Sequence, residues 1–400
     1  MKSEVGRTGA FATVVALGTA FLILIAQADR PEPAAVNAAD VDGISAALVP
    51  RPRFTFAVIS DTHITPPPAP NRKRRAWGDL HNPNTRRAIR QINAFAPAFV
   101  VNCGDVINSF PGLETYPAEC VEAKKMMGEF EPEVRIVFGN HDTGNKKSFP
   151  KARWADRVQE PFCPNVCEGN LRYFRERFGK DFYSWDYDGC HFVVLDSQLF
   201  ESGLPDEERQ WQFLTQDLER SKGARHLFAF FHQPPYWLAP NEPGEKYYEI
   251  IDNPARLRLL NLLDRYGARV VFSGHTHWPI AGRYKRVLLF TLPSTAFQRN
   301  FGFYESEVRY PAIDPMQVGY ALVRVYDDRV AVERVLTHPP LPATRPLQAR
   351  SAGPRARLLP KMAADVRDNL LAVNARLPEL KRGIWAVEGI NDGRIGGGGV

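Results

Sequence analysis

The segment Phe54-Thr-Phe-Ala-Val-Ile-Ser-Asp-Thr-His63 joins an apolar, β-branched run directly to an aspartate and a histidine. A nearly continuous run of this kind is typical of a strand buried on both faces. Asp61 and His63 therefore follow the carboxyl end of a predicted strand. In α/β sheets, ligand sites lie beyond the carboxyl ends of the strands. The segment predicts an α/β domain with site residues at a sheet edge.

Four more segments repeat this arrangement of an apolar run followed by polar residues. The runs cover residues 98–101, 134–138, 227–231 and 269–272, and they precede Gly104-Asp105, Gly139-Asn140-His141-Asp142, His232 and Gly274-His275-Thr276-His277. We expect the ends of the five strands to converge at one edge. The glycines suit sharp turns in which the main chain passes close to a metal or a phosphate.

These residues supply oxygen and nitrogen ligands for two adjacent metal ions. Ions about 3.5–4 Å apart repel each other, so a shared carboxylate is needed between them, and Asp105 is placed for that role. Imidazole suits zinc and iron, while carboxylate and amide oxygens suit harder ions. The set is compatible with divalent or trivalent Fe, Mn or Zn. His141 directly follows a candidate ligand, Asn140, and is the candidate to stabilise developing charge or to protonate a leaving oxygen.

The order of the five blocks resembles the calcineurin-like metallophosphoesterase family over residues 54–336. The resemblance implies an α/β four-layer sandwich, in which two mixed β-sheets pack together and are flanked by helices. It also implies a first ion site and a second ion site that share one aspartate. The first would comprise Asp61, His63, Asp105 and His277, and the second Asp105, Asn140, His232 and His275, with His141 near the leaving group.

The chain departs from the motifs of two branches of this family, which limits the branches that it can resemble. Gly104-Asp-Val-Ile-Asn108 lacks the Asp-Arg-Gly ending of the protein serine/threonine phosphatases, and Asp142 stands where they carry glutamate. Purple acid phosphatases have a metal-binding tyrosine at the position of Asn108. The chain is more similar to the bacterial branch that includes cyclic-nucleotide phosphodiesterases, a branch in which substrates vary.

The expected activity is hydrolysis of a small phosphorylated substrate through attack of a metal-bound hydroxide on phosphorus. A phosphomonoester is slightly favoured because the basic residues Arg72, Arg74 and Arg75 follow the first ligand pair. Trp237, after His232, is a candidate to stack on the substrate. A phosphodiesterase acting on a nucleotide or a lipid head group, and a non-catalytic binding protein of the same fold, remain alternatives. We find no nucleic-acid-binding motif.

The two ends of the 400-residue chain differ from the motif region in composition. Residues 1–28 predict a signal peptide and residues 29–52 an Ala/Pro-rich linker. The sequence predicts a catalytic domain over 53–338, followed over 339–400 by a Pro/Arg-rich extension in which one helix and a disordered glycine tail are expected. A net charge of +6 suggests an anionic partner.

The amino-terminal segment predicts export to the periplasm or secretion, with cleavage after Ala28. The alternative is a membrane anchor formed by residues 9–26, and a membrane partner is expected only in that case. The five cysteines leave the pairing open. In an oxidising compartment, Cys163 and Cys167 could form a disulfide.

Apolar periodicity between the blocks predicts four helices and two hairpins. The helices span 84–95, 118–130, 205–220 and 253–266, and the hairpins pair 182–187 with 191–195 and 319–326 with 330–336. Of the histidines outside the motifs, only His81 is kept as a residue of interest for the site, because its loop lies between two ligand-bearing strands. Asp196 is predicted to be a hydrogen-bonding turn residue.

Overall fold

A computed structural model describes residues 51–67, 80–149, 154–237, 239–244, 248–299 and 318–337, together with the main chain of 384–389. Its helices are α1 (His81–Phe95), α2 (Tyr116–Met127), α3 (Asn140–Thr143), α4 (Glu168–Phe178), α5 (Pro205–Arg220) and α6 (Ala255–Arg265). Its strands are β1 (Phe54–Ile59), β2 (Val100–Asn102), β3 (Val134–Ile136), β4 (Tyr183–Tyr187), β5 (Cys190–Val194), β6 (Leu227–Phe230), β7 (Val270–Ser273), β8 (Ile280–Tyr284), β9 (Val287–Thr291), β10 (Gly319–Val325), β11 (Arg329–Leu336) and β12 (Ile384–Gly389).

The strands form two six-stranded sheets, and both sheets are mixed. The first has the order β12-β11-β10-β1-β2-β3, in which β1, β2 and β3 are parallel and the remaining pairs are antiparallel. The second has the order β4-β5-β6-β7-β9-β8, in which β5, β6, β7 and β9 are parallel. The prediction of two mixed sheets is confirmed.

Strand β1 shows why its sequence is apolar at almost every position. Phe54, Phe56 and Val58 point into the core between the sheets, whereas Ala57 and Ile59 belong to the core beneath the helices of the first sheet. The ring of Phe56 lies 5.3 Å from that of Phe228 on β6, centroid to centroid, in an edge-to-face arrangement. A strand covered on both sides needs apolar side chains on both faces.

Helices cover the outer face of each sheet, which completes the predicted four layers. The core on the outer face of the first sheet contains Ile89 of α1, Met126 of α2 and Phe174 of α4. The core on the outer face of the second sheet contains Leu214 of α5 and Leu259 of α6. The sheet–sheet core lies between them, so the predicted flanking of both sheets by helices is confirmed.

Element bounds match the predictions unevenly. Helix α5 has the predicted bounds, and α1 and α2 begin three and two residues earlier than predicted. Helix α4 and the β8–β9 hairpin were not predicted, since α4 has only two fully buried apolar residues, Leu171 and Phe174. Strand β12, within the predicted carboxyl-terminal extension, pairs with β11 and adds a strand to the first sheet.

Several sequence predictions fall outside the described residues. These are the signal peptide, most of the linker, Arg72, Arg74, Arg75, and most of 339–400. In the part of the chain that the structure describes, no helix combines the length and apolar character needed to cross a membrane. All five cysteines are free thiols. Cys163 and Cys167 are close enough for their side chains to hydrogen bond.

Candidate metal centre

The residues that follow β1, β2, β3, β6 and β7 meet in one place. The expected single edge is in fact two edges, because the first three strands belong to one sheet and the last two to the other. The ligand atoms form three groups, within each of which all atoms lie within 4.8 Å of one another. The groups are Asp61, His63 and His277; His63, Asp105 and His141; and Asp105, His232 and His275.

Asp105 stands between the two predicted ion sites. Its Oδ1 atom lies 3.2 Å from Nε2 of His232, and its Oδ2 atom lies 3.6 Å from Nε2 of His63. Each carboxylate oxygen therefore faces a different set of histidines. This is the arrangement that a bridging carboxylate requires.

The remaining candidate ligands divide between the two sides of Asp105. On one side, Nε2 of His277 lies 3.3 Å from Oδ1 of Asp61 and 3.0 Å from Nε2 of His63. On the other side, Nε2 of His232 lies 3.0 Å from Oδ1 of Asn140 and 3.1 Å from Nδ1 of His275. The structure brings all seven predicted ligands together, in the two sets that the family resemblance implied.

Glycine is required at two turns of the site because the main chain passes very close to a ligand. A Cβ atom on Gly274 would stand 1.8 Å from Oγ of Ser60 and 2.6 Å from Oδ2 of Asp61. On Gly139 it would stand 2.4 Å from Oδ1 of Asp105. Real Cβ atoms do not approach neighbours so closely, so these contacts explain two of the three glycines noted in the sequence.

Hydrogen bonds to main-chain carbonyl groups determine which ring nitrogen faces the centre of the site in two of the histidines. Nδ1 of His232 donates to the carbonyl of Cys103 at 2.8 Å, and Nδ1 of His277 donates to the carbonyl of Phe297 at 2.9 Å. In the neutral form of either ring, the single proton is thus held on Nδ1, and Nε2 faces the other candidate ligands. Such carbonyl partners are usual for histidines that bind metals.

Burial and charge set the protonation of the ligand groups. Burial lowers the pKa of His63 and of His275 well below the ordinary value, which favours the neutral form that binds metal. Burial also opposes charge on His232, but the Asp105 carboxylate outweighs it and raises the pKa of His232 to about 9. Burial disfavours the Asp105 anion as well, yet His232 holds the pKa of Asp105 well below its usual range.

His141 lies beside the cluster rather than within it, and 19% of its side chain is exposed. Its Nδ1 donates to the carbonyl of Asn108 at 2.5 Å, and its Nε2 stands 3.9 Å from Oδ2 of Asp105. Its ring packs against Phe110, with 4.0 Å between the ring centroids. This position suits a group that meets a substrate at the open side of the centre.

Two residues that support the site were not found from the sequence. Glu119 is buried and accepts a hydrogen bond from the main-chain N–H of Asn108 at 3.0 Å, so it holds the turn that orients His141. Tyr248 contacts Asn140 and His275. Neither residue stands in a motif or directly after a ligand-bearing strand, so no sequence signal pointed to them.

His81 and Asp196, which the sequence analysis singled out, form hydrogen bonds that support the local main chain. His81 is buried, its Nδ1 donates to the carbonyl of His63 at 3.0 Å, and its ring stacks on Phe297. Asp196 accepts a hydrogen bond from the main-chain N–H of Gln198 at 2.8 Å, which confirms its prediction as a turn residue.

Trp237 lies in the loop after β6, where its main-chain N–H donates to Oε1 of Glu242 at 2.5 Å. The stacking of Trp237 on a substrate stays a prediction. The substrate contacts of Arg72, Arg74 and Arg75 also stay a prediction.

The fold therefore brings two candidate metal-ion sites together around one carboxylate. The family model for calcineurin-like phosphoesterases matches residues 54–279, more than half of the chain. The chain belongs to this family. The match confirms the family predicted from the motifs, and this family is one whose members use two metal ions.

Similar proteins include phosphatases and a phosphodiesterase. The chain is 28% identical over 212 residues to serine/threonine-protein phosphatase CPPED1 of Homo sapiens. This alignment covers 51% of this chain and 61% of that protein. It is 27% identical over 251 residues to glycerophosphodiester phosphodiesterase GpdQ of Enterobacter lignolyticus (strain SCF1), covering 61% of this chain and 78% of that protein. The chain thus spans less than two thirds of the CPPED1 length. A solved structure of a dimetal phosphatase from Danio rerio is similar with a TM-score of 0.44 and 17% identity, covering 72% of this chain and 98% of that one.

Proposed function

We propose that this protein hydrolyses a small phosphate ester at a centre of two metal ions, with a phosphomonoester as the favoured substrate. The observation that carries the proposal is the convergence of seven buried residues with oxygen or nitrogen ligand atoms, six of them arranged around Asp105. The CPPED1 relative, described as a phosphatase, is consistent with a monoester. The GpdQ relative, described as a phosphodiesterase, supports a diester as the second candidate.

The donor set fits two ions. Asp61, His63, Asp105 and His277 would hold the first, and Asp105, Asn140, His232 and His275 would hold the second. The set contains no thiolate, and its mixture of imidazole and oxygen donors suits Fe, Mn or Zn. When bound, two such ions clamp the phosphate, polarise phosphorus and lower the pKa of water.

His141 is the residue that we assign to the leaving group. Burial lowers the pKa of His141, so its ring is mainly neutral at neutral pH before substrate arrives. An anionic phosphate beside the ring favours uptake of a proton at Nε2, while Nδ1 stays bonded to Asn108. As water attacks phosphorus and the ester P–O bond breaks, Nε2 passes this proton to the departing oxygen. Acidic Glu119 keeps the Asn108 turn, and therefore the ring, in place.

We further propose that the protein acts outside the cytoplasm. The support is the sequence of residues 1–28, with two basic residues, an apolar run and the small residues Ala26 and Ala28. An uncleaved anchor over residues 9–26 is the alternative.

Metal analysis combined with hydrolysis of p-nitrophenyl phosphate and bis(p-nitrophenyl) phosphate tests the function. We expect two ions per chain and faster turnover of the monoester. Faster turnover of the diester would favour the phosphodiesterase, and two ions with no turnover of either ester would favour a binding protein. Absence of bound metal would refute the proposal.

A matched pair of histidine variants makes this test specific. His226 and His232 are both buried; His226 lies directly before strand β6, and His232 lies two residues after its end. His226 donates from Nε2 to the carbonyl of Tyr326 at 2.7 Å, away from the candidate ligands. His232→Gln should lower metal content and turnover, whereas His226→Gln should leave the metal content near two ions.

A further inference from the structure

Tyr248 lies in the segment between β6 and α6 and contacts two residues of the second ion site. It is buried, with 7% of its surface exposed. Its hydroxyl and its main-chain carbonyl take part in different contacts. Each contact decides which atom of a candidate ligand can face a cation.

The hydroxyl of Tyr248 orients the side-chain amide of Asn140. Nδ2 of Asn140 donates to Oη of Tyr248 and, at 3.2 Å, to Oδ1 of Asn145. With the amide nitrogen held on that side, Oδ1 of Asn140 faces Nε2 of His232 at 3.0 Å. The orientation matters because only the oxygen of an amide can bind a cation.

The carbonyl of Tyr248 sets the tautomer of His275. Nε2 of His275 donates to this carbonyl at 3.2 Å, while Nδ1 faces Nε2 of His232 at 3.1 Å. A neutral imidazole carries one proton, so a proton held on Nε2 leaves Nδ1 as the ligand atom. The carbonyl also accepts a hydrogen bond from Nε2 of Gln233 at 2.8 Å.

A buried ion pair holds the Tyr248 segment against the segment that carries Asn140. Nζ of Lys146 lies 2.6 Å from Oδ1 of Asp252 and donates to the carbonyl of Ile250 at 2.8 Å. Nε of Arg256 donates to the carbonyl of Ile251 at 2.9 Å. Buried charges are stable only when paired and hydrogen bonded, so these contacts give the segment a defined position.

We propose that Tyr248 is a positioning residue that selects Oδ1 of Asn140 and Nδ1 of His275 as donors of the second ion site. Binding of the second ion then depends on the Tyr248 hydroxyl, and binding of the first ion does not. This inference rests on the proposed two-ion centre. It adds a residue to that centre and assigns it to one ion.

The inference can be tested without an activity assay. Mn²⁺ is titrated into the protein, binding is measured by calorimetry, and the metal content is determined after dialysis. Tyr248→Phe removes the hydroxyl and keeps the ring and the carbonyl. We expect the wild type to bind two ions and Tyr248→Phe to bind the second about 10–100-fold more weakly, the usual cost of losing an outer-shell partner. The control Tyr266→Phe removes a hydroxyl that bonds to Oε2 of Glu219 on the surface, and should match the wild type.

The substitution Asn140→Asp distinguishes two roles of the Tyr248 hydroxyl, namely orienting the side chain at position 140 and supporting the fold in general. A carboxylate presents oxygen on both sides, so its orientation no longer needs to be selected. Most of the affinity loss caused by Tyr248→Phe should therefore disappear when it is made in the Asn140→Asp background. Equal losses in the two backgrounds would overturn the inference.

The outcomes distinguish this inference from the proposed function. Fewer than two ions bound by the wild type would refute the two-ion centre itself. Two ions bound with unchanged affinity by Tyr248→Phe would overturn the role of Tyr248 and leave the centre intact. A parallel loss of both ions would also overturn it, because the tyrosine would then support the whole site rather than one ion.

Discussion

Five of the seven candidate ligands have a left-handed main chain, which is uncommon for residues with a side chain. The φ angles are 53° at Asp61, 39° at His63, 51° at Asp105, 69° at His275 and 62° at His277. Each such residue costs on the order of 1–3 kcal/mol and persists only where the surrounding structure enforces it. Main-chain strain therefore coincides with the candidate ligands, as is common at functional sites.

Asp105 is the residue on which both ion sites depend. Asp105→Asn keeps the size of the side chain but removes the negative charge that the two ions would share. We expect metal content to fall and turnover to be nearly abolished, as measured by elemental analysis and by p-nitrophenyl phosphate hydrolysis. Two ions per chain together with a kcat close to the wild-type value would contradict the assignment.

His141 should affect catalysis without affecting metal content. Its side chain lies beside the ligand cluster, so His141→Ala should retain both ions while kcat falls by about 10²–10⁴, as for a lost acid–base group. The loss should be smaller for esters with good leaving groups, which need little protonation. An equal loss across a series of leaving groups would instead indicate that His141 positions the phosphate.

At the scale of secondary-structure elements, His191 joins β5 to its neighbours. Nε2 of His191 lies 2.8 Å from Oδ2 of Asp217 on α5, and Nδ1 lies 2.7 Å from Oδ1 of Asp186 on β4. Burial opposes the charged ring, but the hydrogen bonds to the two carboxylates outweigh it and raise the pKa of His191 above 6.5. Burial also opposes the Asp217 anion, yet His191 lowers the pKa of Asp217 below 3.8.

These shifts predict a dependence of stability on pH. The raised pKa of His191 contributes stability that is complete below pH 6.5 and is lost as pH rises through the folded-state pKa. The lowered pKa of Asp217 contributes stability that is complete above pH 3.8. The Tm difference between the wild type and His191→Gln should therefore be largest between these values and should narrow toward pH 9.

Two aspartate variants provide an internal control for this prediction. The side chain of Asp217 is 4% exposed, whereas that of Asp186 is 80% exposed and is screened by water. Asp217→Asn should lower Tm clearly more than Asp186→Asn does at pH 6. A Tm difference between the wild type and His191→Gln that stays constant with pH would contradict the ion-pair interpretation.

At the scale of the whole molecule, the predicted export concerns residues outside the described structure. We expect the mature protein to begin at Asp29 and to be found outside the cytoplasm. Amino-terminal sequencing of protein from the producing cell is the direct measurement. An intact Met1 in the membrane fraction would replace cleavage by anchoring, and an intact Met1 in the cytosol would refute both.

The sequence alone determined the α/β class, the buried strands and the identity of the candidate ligands. It could do so because each ligand block directly follows an apolar run, and adjacency along the chain is visible in a sequence. The bounds of α5 also followed from local features, namely Pro205 at its first turn and the periodic apolar residues after it.

Only the tertiary structure decided that ligand strands from two different sheets meet at one centre. The pairing of the strands, as in the contacts of β1 with β10, joins residues more than 250 positions apart, which no local pattern specifies. The same holds for Tyr248 and Glu119, because their roles arise from contacts with residues distant in the chain. Donor orientation at Asn140 and His275 is a property of packing and hydrogen bonding in three dimensions, and it appears only when the chain is folded.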